Sequence, residues 1–103
     1  MKALLFPLLL LSFLLLISSE QVEPQQYPKI LSYAKDACQE KAGEYFRFAK
    51  CIDMNKMIVQ NGIQYAITVL YIDRAGMQKY FELNIYENPY WDNALTLNDI
   101  EEH

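Results

Sequence analysis

From Gly62 to Ile72 the side chains alternate without a break. Ile63, Tyr65, Ile67, Val69 and Tyr71 fall on one face, and Gln64, Ala66, Thr68, Leu70 and Ile72 on the other. A period of two belongs to a strand, because successive Cβ atoms point to opposite sides of a sheet. Asp73-Arg74-Ala75-Gly76 then reads as a turn. The return strand places Phe81, Leu83 and Ile85 on one face, with Tyr80, Glu82, Asn84 and Tyr86 on the other. Asn88-Pro89 stops it, since proline has no amide hydrogen for the next ladder bond. Two consecutive strands, each apolar on one face, require a sheet with one covered side.

The segment before this hairpin supplies the cover. Ile30, Ala34, Ala37 and Cys38, with the stem of Lys41, recur at three- and four-residue spacing from Pro28 onward. This predicts a helix that starts on proline and ends at Ala42-Gly43. After Gly43 the period returns to two: Phe46 and Phe48 share a face and Arg47 opposes them. Continued alternation would send Lys50 inward, so a bulge near Ala49 is expected to exchange the faces. Asp53 to Lys56 reads as a loop or as a continuation of that strand, and Leu95 and Leu97 keep strand spacing between Ala94 and Ile100. The expected fold is α+β, one helix packed across a four- to five-stranded antiparallel sheet in meander order. In a meander, the Ile58-Val59-Gln60-Asn61-Gly62 turn and the Pro89-Tyr90-Trp91 turn lie side by side at one end and form a wedge.

Residues 1–19 read as an export signal: Lys2 precedes the apolar run Ala3 to Ile17, and Ser18-Ser19 offers small residues for cleavage. The run is short for a membrane span, so a secreted chain is expected, with no stable membrane association after cleavage; a retained anchor is the other reading. Loss of Lys2 takes the formal charge from −4 to −5 over the remaining 84 residues. No cationic cluster interrupts this acidity, which argues against a nucleic-acid partner. Residues 20–29, with two prolines and three glutamines, read as an extended or disordered arm. Residues 30–100 form the domain, and 101–103 a tail. Cys38 and Cys51 stand either as a disulfide staple for a small secreted domain or as two buried thiols.

The order of features resembles the cystatins of the plant type, inhibitors of papain-like cysteine proteases. The resemblance covers about Ile30 to Asp99. Leu31-Ser32-Tyr33-Ala34-Lys35 stands at the family's helix segment, and Tyr45-Phe46-Arg47-Phe48-Ala49 is similar to its Phe-Val-Arg-Val-Val strand. Gly62-Ile63-Gln64-Tyr65-Ala66-Ile67-Thr68 is similar to its Gly-x-x-Tyr-Tyr-x-Thr, and Tyr86-Glu87-Asn88-Pro89-Tyr90-Trp91-Asp92 to its Trp-Glu-x-Pro-Trp-x-Asp. The resemblance implies that Ile58, Val59, Gln60, Asn61, Gly62, Pro89, Tyr90 and Trp91 enter a protease cleft, and that a papain-like cysteine protease is the partner of a monomeric inhibitor. The chain departs from the pattern in three places. Ile58, Gln60 and Asn61 replace the first loop's Gln, second Val and Ala. Trp91 sits one residue late, and the arm lacks the family's glycine. Weak or atypical inhibition is therefore expected, and a non-inhibitory cystatin-like binding protein is the alternative.

An enzyme is not expected. The one histidine, His103, is the last residue of the sequence, so no Ser/His or Cys/His nucleophilic pair falls on a rigid element. Cys38 and Cys51 without a second histidine do not form a zinc pattern. Neither a metal nor any other cofactor is called for.

Overall fold

The computed structural model of the chain describes residues 19–103. The expected signal segment lies outside these residues except for Ser19. The elements are β1 (Ser19–Gln21), a 3-10 turn (Pro24–Gln26), α1 (Pro28–Ala42), β2 (Arg47–Val59), β3 (Gly62–Ile72), β4 (Gln78–Asn88) and β5 (Ala94–Glu102). The strands form a single five-stranded antiparallel sheet in sequence order, with the helix packed on one face. This is the expected α+β architecture. Among the described residues no helix is long and apolar enough to cross a membrane.

β3 sits at the centre, and its alternation is carried out as read: Tyr65, Ile67, Val69 and Tyr71 are buried against the helix. The register sets Ile67 opposite Met54 and Leu83, and Val69 opposite Cys51 and Phe81. The core face thus runs continuously across β2, β3 and β4. Helix α1 buries Ile30, Ala34, Cys38 and Ala42, a strict four-residue stripe. Four residues turn through about 400°, so this stripe drifts around the helix and follows the twist of the sheet. The alanines bring the helix backbone close, and the Tyr71 hydroxyl donates to the Lys35 carbonyl at 2.8 Å. Phe48, Tyr71 and Phe81 stack edge to face, with ring centroids 5.8 and 5.6 Å apart. Such pairs add about 0.5–1.5 kcal/mol beyond the area they bury.

Of the two readings of segment 20–29, extended or disordered, the extended one describes its start, which is a strand paired to β2. Glu20 pairs with Lys56 and Gln21 with Asn55, and the Val22 amide donates to the Met54 carbonyl at 2.9 Å. Composition could not choose between the two because a three-residue edge strand takes its stability from the β2 ladder it joins, not from a pattern of its own. Asp53 to Lys56, read as a loop or as the continuing strand, continue the strand. The bulge expected near Ala49 is present, and a second register shift lies between Cys51 and Asp53. The first turns Cys51 toward the core. The second leaves Ile52 exposed and returns Met54 to the core.

Gly43 ends the helix at φ 94°, a left-handed value that favours glycine, and its amide donates to the Gln39 carbonyl at 3.1 Å. Cys38 and Cys51 are two free thiols. Cys38 is buried under the helix, and the Cys51 Sγ is turned to the Asp53 carbonyl at 3.3 Å. The staple reading is thereby replaced by packing.

Burial pushes the Cys38 thiol up to about 12. Burial, with Cys38 and Asp36 nearby, pushes the Tyr71 hydroxyl up to about 12 as well. Both groups fold in the neutral form, so their stabilisation is complete below the unfolded values near 9 and 10 and is lost as pH rises toward 12. Thermal stability should therefore be level to about pH 9 and fall steeply between pH 9 and 12. Tyr71→Phe should remove roughly 3 kcal/mol of that alkaline fall while costing about 1 kcal/mol at neutral pH. Circular dichroism melts across the pH range check both; an unchanged alkaline slope in Tyr71→Phe would assign the loss elsewhere.

Candidate functional site

Two turns meet at the end of the sheet where β2 passes to β3 and β4 to β5. The first is a two-residue connection, Gln60-Asn61, closed by the Val59 and Gly62 pair. The second is Pro89 to Asn93, closed by the Asn88 and Ala94 pair. Because Ile63 pairs with Glu87, the two turns emerge from neighbouring hairpins at the same edge. The juxtaposition expected from the alternating strands is present.

Gly62 has a packing reason of its own. It is buried, and a Cβ built there would lie 2.7 Å from the Tyr86 Cε1 and Oη and collide with the Glu87 carbonyl oxygen. The Tyr86 ring covers the glycine, and its hydroxyl donates to the Asn61 carbonyl. An aromatic on one strand thus fills the gap left by a glycine on the next. This accounts for Gly62 within the fold and takes its Cα out of reach of a partner on that side. In the sequence Tyr86 stands on the outward face of its strand and opens the second-loop motif, and neither signal ties it to Gly62. Its role becomes visible once the register places it diagonally across from Gly62.

Below the first turn, the core-facing side chains form a polar chain to the arm. The Tyr65 hydroxyl donates to Glu87 Oε1 at 3.0 Å, and the Tyr65 ring lies 5.7 Å from that of Tyr27. Lys56 Nζ stands 5.4 Å over the Tyr27 ring and 3.4 Å from its hydroxyl. Burial, then the Glu87 carboxylate, holds the Tyr65 hydroxyl well above its ordinary value. A neutral tyrosine donating to a carboxylate is the stable state of this pair.

The second turn is held by its own backbone. The Tyr90 amide donates to Asn88 Oδ1 at 3.0 Å, Trp91 to the Asn88 carbonyl at 3.2 Å, and Ala94 to the Trp91 carbonyl at 3.0 Å. Asp92 and Asn93 take left-handed φ values of 57° and 54°, which these two residue types tolerate best after glycine. Lys29, in the first turn of α1, donates to the Asn93 carbonyl at 2.8 Å and ties the loop to the helix. With the backbone so constrained, the aromatics are left outside: Tyr90 is 83 % and Trp91 76 % exposed. Ile58, at the end of β2, is 68 % exposed. Gln60, Asn61 and Pro89 are also exposed, Val59 is half-buried, and Gly62 alone of the eight expected contact residues is buried.

The arrangement has the character of a binding edge, with exposed apolar groups on constrained turns. Among the described residues one group of metal-ligating side chains converges, Glu82, Glu101 and His103, whose ligand atoms lie within 4.8 Å of one another. All three are exposed on the sheet face away from the helix, and His103 Nε2 stands 3.6 and 3.7 Å from the two carboxylates. These are the spacings of surface ion pairs.

Gly62→Ala should cost about 1–3 kcal/mol, because the added methyl meets backbone as well as the Tyr86 ring. Tyr86→Phe should cost about 1 kcal/mol through the lost bond to Asn61. Urea denaturation of the two variants measures both costs. A fully stable Gly62→Ala would mean that the turn relaxes away from Glu87. No protein-family model matches the sequence, and no curated protein matches it either.

Proposed function

We propose that this chain is a secreted inhibitor of papain-like cysteine proteases, of atypical potency, and that the two turns at one end of the sheet block the protease cleft. The observation that carries this reading is the exposure of Ile58, at the end of β2, and of Tyr90 and Trp91, on the constrained second turn, at the same end of the sheet. Large apolar side chains left in water on rigid backbone are the usual anchors of a protein interface, since ordering them on binding costs little entropy. The order of helix, strands and loops resembles the cystatins, and the one-helix, five-stranded meander supports that likeness.

The tip chemistry supports modest strength. Gln60 and Asn61 present polar side chains where a deep contact would have to desolvate them. The Asn61 carbonyl already accepts from Tyr86. The arm is paired to β2 and contains no glycine to re-aim it. These same observations favour the second reading, a cystatin-like binding protein that does not inhibit.

Titration of a papain-like protease with the purified protein, read by hydrolysis of a small fluorogenic substrate, tests the proposal. Inhibition should reach completion by micromolar concentrations, and Trp91→Ala and Ile58→Ser should each weaken it by at least tenfold. Neither side chain is buried, so both variants should keep the parent melting temperature. No inhibition at high micromolar concentration would leave the non-inhibitory reading in place.

A further inference from the structure

The sequence contains two arginines, Arg47 and Arg74, and both line one cleft at the end of the sheet opposite the two turns. Glu44, Tyr45, Ile72, Asp73 and Ala75 complete its walls, around a cavity of 640 Å³. Clefts that hold small organic ligands fall in this size range. β3 separates it from the candidate site by eleven residues, about 35 Å. It is therefore independent of the protease reading.

Both walls are set in advance by hydrogen bonds. On one side the Gln39 side-chain amide donates to the Gly43 carbonyl at 2.9 Å and to the Phe46 carbonyl at 2.7 Å, clamping the turn that carries Glu44 and Tyr45. Phe46 packs against the core, while Tyr45 is left 77 % exposed. On the other side Asp73 Oδ1 accepts from the Ala75 amide at 2.9 Å and the Met77 amide at 2.8 Å, which closes the turn that carries Arg74. The Asp73 carboxylate is thus engaged by backbone amides rather than by an arginine. Among the described residues neither guanidinium is in an ion pair. Glu44 is the remaining carboxylate of the cleft. Arg47 pairs with Ile72 and Lys50 with Leu70, two positions apart on the same sheet face, so a third cation stands in the adjacent row.

The lining of the cleft is formally neutral, Arg47 and Arg74 against Glu44 and Asp73, in a chain whose formal charge is −4, and the Asp73 carboxylate is turned to backbone amides. Exposed charges are screened beyond about 8 Å at physiological ionic strength, so an approaching ligand meets these four groups rather than the chain's distant carboxylates, and of the four the two guanidiniums are the ones that offer hydrogen-bond donors to an anion. Guanidinium forks match carboxylate and phosphate oxygens in bidentate fashion, and they also stack on aromatic faces. Tyr45, Ile72 and Ala75 offer the apolar surface beside them. We propose that this cleft is a binding site for a small aromatic anion, a carboxylate or phosphate group carried on a ring, with Arg47 and Arg74 holding the anion and Tyr45 and Ile72 the ring.

Two-dimensional NMR of the 15N-labelled protein, titrated with phenyl phosphate and separately with phenylacetate, tests this. At least one probe should shift the Arg47, Arg74 and Tyr45 signals saturably at millimolar concentration or below, and the tighter of the two identifies the anion. Inorganic phosphate should bind at least fivefold more weakly than phenyl phosphate if phosphate is preferred, and acetate likewise if carboxylate is. Phenol, which carries the ring alone, should leave these signals unmoved. Arg47→Gln with Arg74→Gln should raise the dissociation constant at least tenfold, and Arg74→Gln alone, in an exposed turn, at least threefold. Three results would overturn the proposal: no saturable shift with either probe, equal affinity for the ring-free anion, or unchanged affinity in the arginine variants.

Discussion

The structure depends on the register of β3 between β2 and β4. Every side chain of β3 that meets the helix, Tyr65, Ile67, Val69 and Tyr71, is buried; Ile67 and Val69 face apolar residues on both neighbouring strands, while Tyr65 lies between Lys56 and Ile85 and Tyr71 between Phe48 and Lys79. A slip of one residue would send all four into water and bring Gln64 and Thr68 under the helix. Burying an aliphatic or aromatic side chain is worth about 1.5–3 kcal/mol, so such a slip would remove most of the core at once. The helix adds the opposing surface with four residues at uniform spacing, and the Tyr71 bond to Lys35 marks its position along the sheet.

The two ends of the sheet inherit this register. At one end it brings Tyr86 over Gly62 and the first turn beside the second, so that Ile58, Tyr90 and Trp91 stand exposed together. At the other it sets Arg47 beside Ile72, with the turn carrying Arg74 next in the chain. In both places side chains that bond to backbone, Tyr86 and Asn88 at one end, Gln39 and Asp73 at the other, hold the turns. Exposed groups on turns held in this way can bind without first losing much conformational freedom.

Most of the fold was legible because its signals are local. The uninterrupted alternation from Ile63 to Ile72 left little choice but a half-buried strand, and the helix from Pro28, the bulge at Ala49 and the side-by-side turns followed from the same periodicities. The arm was legible only as extended or disordered. Its proline and glutamine composition describes a segment without a core, whereas its order comes from the unpaired β2 edge and from Tyr27 packing against Tyr65. The second irregularity at Ile52 was hidden because the first bulge had already restored a consistent pattern. The cysteines were open to two readings because thirteen residues of separation say nothing of how two side chains face.

Of the candidate site, the sequence by itself determined the two turns, their residue types and their shared end of the sheet, because turn chemistry and period-two alternation are properties of neighbouring residues. Only the tertiary structure decided what each residue does there. Gly62 is a covered packing position, while Ile58, Tyr90 and Trp91 form the exposed edge. The pairing of Tyr86 with Gly62, the tie from Lys29 to Asn93 and the gathering of both arginines into one cleft join residues 24, 64 and 27 positions apart in the chain. Such contacts arise from strand register and helix placement, which local periodicity constrains but does not specify.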